Sequence, residues 1–154
     1  MPILETRTVH WLDEPACAAT ARVIAARPAV RQAFIELHGT LGAGKTTFAR
    51  HLLGALGVQG RVKSPTYAIM EPYELPDFNA WHFDFYRFND PQEWEDAGFR
   101  DVFASPGLKL AEWPEKAQGL LPVADLALHI DFGRDDQRVV TLTARTPLGL
   151  DLLP

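Results

Sequence analysis

The sequence contains a single cysteine, Cys17, in 154 residues. No internal disulfide is available, and a reducing, cytoplasmic setting is expected. Cys17 falls in an Ala-rich helical pattern, where a small core side chain is its expected role. No apolar run approaches the ~18 residues that a membrane-spanning helix needs, so no membrane association is expected. The segment Met1-Pro2-Ile3-Leu4-Glu5 has no basic stretch followed by an apolar one, so no signal peptide is expected. Basic excess is lacking too, since the formal net charge is −5. Nucleic-acid binders usually carry a basic field, and direct nucleic-acid binding is therefore disfavoured as the main role. Arg61 and Lys63 make a local basic patch that either meets an acidic partner or stays a solvated loop. The five histidines, at 10, 38, 51, 82 and 129, are scattered without zinc-ligand spacing. There is no local serine-hydrolase signature, repeat, low-complexity tract or linker. The remaining composition, 47% hydrophobic and 23% charged, fits one globular domain over residues 1–154.

One stretch organises the rest: Gly39-Thr40-Leu41-Gly42-Ala43-Gly44-Lys45-Thr46. It has the spacing of a phosphate-binding P-loop, or Walker A motif. Glycines let a phosphate approach the backbone closely, and successive N–H groups through Gly42, Ala43, Gly44, Lys45, Thr46 and Thr47 then form an anion nest. A helix starting near Lys45 adds the positive end of its dipole. Lys45 reaches β- and γ-phosphates, and the Thr46 hydroxyl suits Mg²⁺. The apolar run from Ala33 to His38 reads as the preceding strand. Phe48, Leu52, Leu53 and Leu56 recur at helical spacing after the loop, with Gly57 as the C-terminal cap. Strand, glycine loop and helix is the order this motif requires, so binding of a nucleoside triphosphate is expected.

Elsewhere, residues 3–10 read as an edge strand, and Asp13 caps a helix with Glu14 and Pro15 in its first turn, running to about Ala26. The loop from Gly57 to Thr66 is either a plain connection or a switch over the γ-phosphate, with Ser64 and Thr66 supplying hydroxyls. Tyr67 to Glu71 and Ala80 to Tyr86 read as two hairpin strands around a turn from Pro72 to Asn79. Asp84 is an acid in an aromatic-rich strand, which suggests a Walker-B-type carboxylate or an ion pair with Arg87. Asp90 and Pro91 open a short helix that Gly98 ends, and Phe99 to Phe103 is a second short amphipathic piece. Leu108 to Trp113 is a strand with Glu112 near its carboxyl end, where ligands gather in open α/β sheets. Glu112 is thus a second candidate Mg²⁺ ligand, or else an exposed strand-end carboxylate. Asp125 to Phe132 and Arg138 to Ala144 form an antiparallel C-terminal hairpin; Thr146 to Pro154 has no assigned structure. The expected fold is an α/β P-loop domain with a mostly parallel sheet, flanking helices and an antiparallel C-terminal edge.

Four blocks together resemble the TsaE (YjeE) family of small bacterial P-loop ATPases. They are the P-loop through Phe48, Val62-Lys63-Ser64-Pro65-Thr66-Tyr67, His82-Phe83-Asp84-Phe85-Tyr86-Arg87 and Glu112-Trp113-Pro114. The resemblance runs from about Thr8 to Phe132. It implies a role in making threonylcarbamoyladenosine at position 37 of tRNA, beside a transferase heterodimer of TsaD and TsaB, with ATP hydrolysis needed for repeated turnover. It further implies that Lys45 and the P-loop backbone bind ATP, and that Thr46 and Glu112 hold Mg²⁺. Asp84 would be the Walker-B-type acid, Ser64 to Tyr67 a switch-like loop, and the segment around Asp13 a neighbour of the base. With this acidic balance, tRNA would be met mainly through the partners. No arginine finger stands in a glycine-flanked loop, so hydrolysis by the chain alone is expected to be slow. A small-molecule kinase would need an Arg-rich lid, which the sequence lacks. A nucleotide-gated adaptor remains open, because the same residues bind and cleave.

Overall fold

A seven-stranded sheet forms the frame, in the order β1-β7-β6-β2-β5-β4-β3. The strands are β1 (Glu5–Trp11), β2 (Phe34–His38), β3 (Met70–Glu74), β4 (Asn79–Asp84), β5 (Leu108–Glu112), β6 (Leu126–Phe132) and β7 (Arg138–Ala144). The structure, a computed structural model, describes residues 2–63, 65 and 69–154. The four central strands, β6-β2-β5-β4, run parallel; β7 and β1 continue the sheet antiparallel on one side, and β3 does so on the other. The fold is the expected α/β type, with the antiparallel C-terminal edge where the sequence put it.

Helices cover both faces. On one lie α1 (Glu14–Ala25) and α2 (Lys45–Ala55), whose Cys17, Ala21, Ile24, Phe48, Leu52 and Leu53 pack on Ile35, Leu37, Leu110, Leu128 and Val140. Burial, aided by Glu14 and opposed by Arg50, pushes the Cys17 thiol up to about 12, so this residue is a core filler. On the other face lie α3 (Pro91–Asp96) and α4 (Phe99–Ala104), around an aromatic cluster of Phe34, Phe83, Phe85, Trp94 and Phe99. Alternation along the strands sorts the two cores. Leu108, Leu110 and Glu112 point to the α2 face of β5, together with their β4 register partners Ala80, His82 and Asp84.

Caps were legible. Asp13 accepts from Ala16 N (3.0 Å) and Asp90 from Gln92 N (2.9 Å), each just before a helix with proline in its first turn. Thr146, followed by Pro147, does the same for α5 (Pro147–Leu152), accepting from Gly149 N at 3.1 Å. The sequence reading assigns no structure there, although a side-chain oxygen before a proline caps this helix as in α1 and α3. β3 also departs from expectation. It runs from Met70 through Pro72 to Glu74, and the connection to β4 is only residues 75–78. Pro72 was read as the start of a turn, but β3 is the last strand of the sheet, and an edge strand tolerates a missing N–H. Tyr67 and Ala68, expected to begin this strand, lie outside the described residues.

Candidate functional site

β2 delivers the glycine loop to the carboxyl end of the parallel strands. Gly39 has no room for a side chain: a Cβ there would lie 2.8 Å from Ile130 O and 3.0 Å from Ala43 Cβ. Gly44 takes φ of 117° as it turns the chain into α2, a conformation that favours glycine. The loop is braced from β7, where Arg138 Nε donates to Ala43 O at 2.8 Å.

Lys45 is 5% exposed. Its ammonium donates to Gly39 O (2.5 Å) and Thr40 O (3.1 Å) and sits 4.1 Å from the centre of the Trp113 ring. Burial pushes it below the usual lysine range, against the opposing pull of Glu112, Glu115 and Asp84. Next along α2, Thr46 Oγ1 lies 2.8 Å and 3.0 Å from the two carboxylate oxygens of Glu112. Glu112 is 2% exposed, which rules out the exposed strand-end reading. Asp84 is the in-register neighbour of Glu112 on β4, and its Oδ1 accepts from Tyr86 N at 3.0 Å. The β4 end therefore turns tightly and directs Tyr86 and Arg87 to the same opening.

These groups line one cleft of about 380 Å³, bounded by Leu41 to Thr47, Pro65, Asp84, Tyr86, Arg87, Glu112 and Trp113. Lys45, Thr46, Thr47, Asp84 and Glu112 are thus brought together from three separate elements, α2, β4 and β5. Asp13 lies in an adjoining cavity of about 190 Å³ that shares Gly42, Ala43, Gly44 and Thr47 and adds Trp11, Asp136 and Arg138. Ser64 and Thr66 lie outside the described residues.

The donor chemistry suits a small hard cation. A threonine hydroxyl and a carboxylate are oxygen ligands, and Mg²⁺ characteristically takes one or two such groups plus phosphate oxygens and water. The glycine loop and helix start beside them suit the phosphates.

The chain has known relatives. The family model for "Threonylcarbamoyl adenosine biosynthesis protein TsaE" matches residues 12–140. This chain belongs to the TsaE family. Its Haemophilus influenzae relative, the tRNA threonylcarbamoyladenosine biosynthesis protein TsaE, is 47% identical over 119 residues, covering 77% of this chain and 75% of the relative. The Bacillus subtilis protein of the same name is 35% identical over 144 residues, covering 94% and 87%. In three dimensions the chain is similar to the crystal structure of Bacillus subtilis YdiB, with a TM-score of 0.81 at 26% identity over 99% of this chain and 94% of that one.

Four residues of the site escaped the sequence reading. Trp113 adopts φ of 54°, unusual for a bulky side chain, and this conformation accompanies its position over Lys45. The Glu-Trp-Pro block contained it, but nothing local predicts the turn. Arg87 was weighed only as a partner of Asp84, and Arg138 only as part of a strand. His82, treated as an ordinary strand histidine, is fully buried with Nε2 2.6 Å from Glu112 Oε2. Its period-two relation to Asp84 was the available signal.

Proposed function

We propose that this TsaE-family chain binds ATP with Mg²⁺ and hydrolyses it, and that hydrolysis supports repeated turnover of the TsaD–TsaB assembly making threonylcarbamoyladenosine in tRNA. The observation that carries the reading is the grouping of buried Lys45 and Glu112 with half-buried Thr46 at the mouth of the glycine nest. The backbone N–H groups from Gly42 to Thr47 cradle the phosphates. Lys45 exchanges the Gly39 and Thr40 carbonyls for β- and γ-phosphate oxygens. Thr46 and Glu112 would hold Mg²⁺, which would supply charge to offset that developing on the transferred group and the leaving oxygen. Asp84 orients water, on the metal or in line with the γ-phosphorus. Hydrolysis forms a bond from the water oxygen to phosphorus and breaks the bond to the β–γ bridging oxygen. Asp13 and its cavity receive the base, and Ser64 and Thr66 belong to a loop that senses the γ-phosphate.

The chain acts as one domain over residues 1–154, in the cytoplasm. Its charge of −5 favours meeting tRNA through the partners. Hydrolysis by the chain alone is slow, and a partner completes the site. The test follows γ-labelled ATP with the chain alone, with the TsaB–TsaD pair, and with a small-molecule pool. Slow phosphate release that accelerates with the pair supports the reading. Label transferred to a small molecule would make the chain a kinase, and tight binding without turnover would make it an adaptor; either result overturns the reading.

A further inference from the structure

His82 does not line the cleft but lies behind it on β4, against Glu112, which does. It is 0% exposed, yet Nε2 sits 2.6 Å from Glu112 Oε2. Nδ1 has no hydrogen-bond partner among the described residues. A buried carboxylate accepts, so Nε2 carries the proton and donates, leaving only a lone pair at Nδ1. An apolar side chain would fill this core position with no orphaned atom. The imidazole is therefore accounted for by its bond to Glu112.

That bond settles which carboxylate oxygen stays free. The Thr46 hydroxyl is within reach of both Glu112 oxygens, and its single proton does not select between them. His82 fixes Oε2 from the core side and leaves Oε1 with no hydrogen-bond partner besides Thr46 among the described residues. When Thr46 turns its oxygen away from Glu112 toward a cation, the carboxylate keeps its orientation because His82 still holds it.

We propose that His82 is a positioning residue that presets Glu112 for Mg²⁺ and leaves nucleotide binding without metal untouched. The inference rests on the nucleotide–magnesium reading above and adds a residue to it. Groups that orient a metal ligand from behind typically change metal affinity by 10–100-fold.

The test compares wild type, His82→Leu and His82→Gln, the last retaining an N–H near the position of Nε2. Fluorescent ADP is titrated in EDTA and then at a series of Mg²⁺ concentrations, with thermal unfolding measured in parallel. In EDTA all three bind ADP alike. Half-saturation by Mg²⁺ moves up roughly tenfold or more in His82→Leu and returns most of the way in His82→Gln. Wild type and His82→Leu responding identically to Mg²⁺ would overturn the inference alone. Equal loss of ADP binding in EDTA, in step with a lowered melting temperature, would also overturn it, because His82 would then be structural. A wild type indifferent to Mg²⁺ would overturn the underlying reading and this inference with it.

Discussion

Replacing Gly39 with alanine tests whether the glycine loop is held in place by close backbone contact. The added methyl would stand 2.8 Å from Ile130 O, where ordinary contact begins near 3.4 Å, so about 0.6 Å must be found. Ile130 gives little, because β6 is paired with β2 on one side and with β7 on the other. The loop must move instead, and it carries the Gly39 carbonyl that accepts from Lys45. Overpacking of this kind costs about 1–3 kcal/mol. At roughly 2–4 °C per kcal/mol for a chain of this size, a mid-range cost lowers the melting temperature by about 4–8 °C. The shift of Lys45 should also reduce the thermal stabilisation produced by saturating ATP and Mg²⁺. Gly54→Ala is the control. This exposed helical glycine has nothing within 4 Å of its would-be Cβ, so alanine there should be neutral or stabilising by up to ~1 kcal/mol. Differential scanning fluorimetry with and without nucleotide reads both variants. Equal melting temperatures and equal ATP responses in the two would refute the account of the loop.

Other outcomes follow from the same geometry. Lys45→Ala removes a nearly buried phosphate partner and should weaken ATP binding roughly tenfold or more, measured by calorimetry; unchanged affinity would sink the P-loop assignment. Glu112→Ala and Asp84→Asn should lose hydrolysis more than nucleotide binding, Asn keeping an oxygen for Tyr86 N. Full activity in both would refute the metal and water roles. His129 stacks on His38 at 4.3 Å, and burial first, then His38, hold its imidazole below the usual histidine range, with Asp131 and Glu36 opposing and Arg145 adding to the shift. The unfolded chain therefore takes up this proton first, so its contribution is full above about pH 6.5 and is lost as pH falls through the lower folded value. Urea melts between pH 7 and 5 should show that slope and its flattening in His129→Asn; an unchanged slope would refute the assignment.

What the sequence made legible was local chemistry. The glycine loop and the capping aspartates announce themselves within a few residues and stand where expected, whereas β3 runs on through Pro72 to Glu74. Glu112 shows the limit. Its place at a strand end was readable, but its burial depends on His82 from β4 and Thr46 from α2, which only the sheet order brings together. Pro72 was misjudged because proline signals a turn unless the strand is known to be an edge. Arg138, the brace on Ala43, lies 95 positions away along the chain, and no local pattern points to it.

The central position of β2 also sets a timetable. Its neighbours are β5 at residues 108–112 and β6 at residues 126–132, so the strand bearing the P-loop has no partner while the first hundred residues emerge from the ribosome. At 5–20 residues per second, the roughly 70 residues from the end of β2 to the start of β5 take about 4–14 s. Throughout that interval Ile35 and Leu37, which end fully buried, have only α1 and α2 to shelter them, while Phe34, on the opposite face, waits for α3 and α4. A nascent chain arrested before residue 126 would carry an intact Walker motif on an incomplete sheet, and would depend on chaperones to stay out of aggregates.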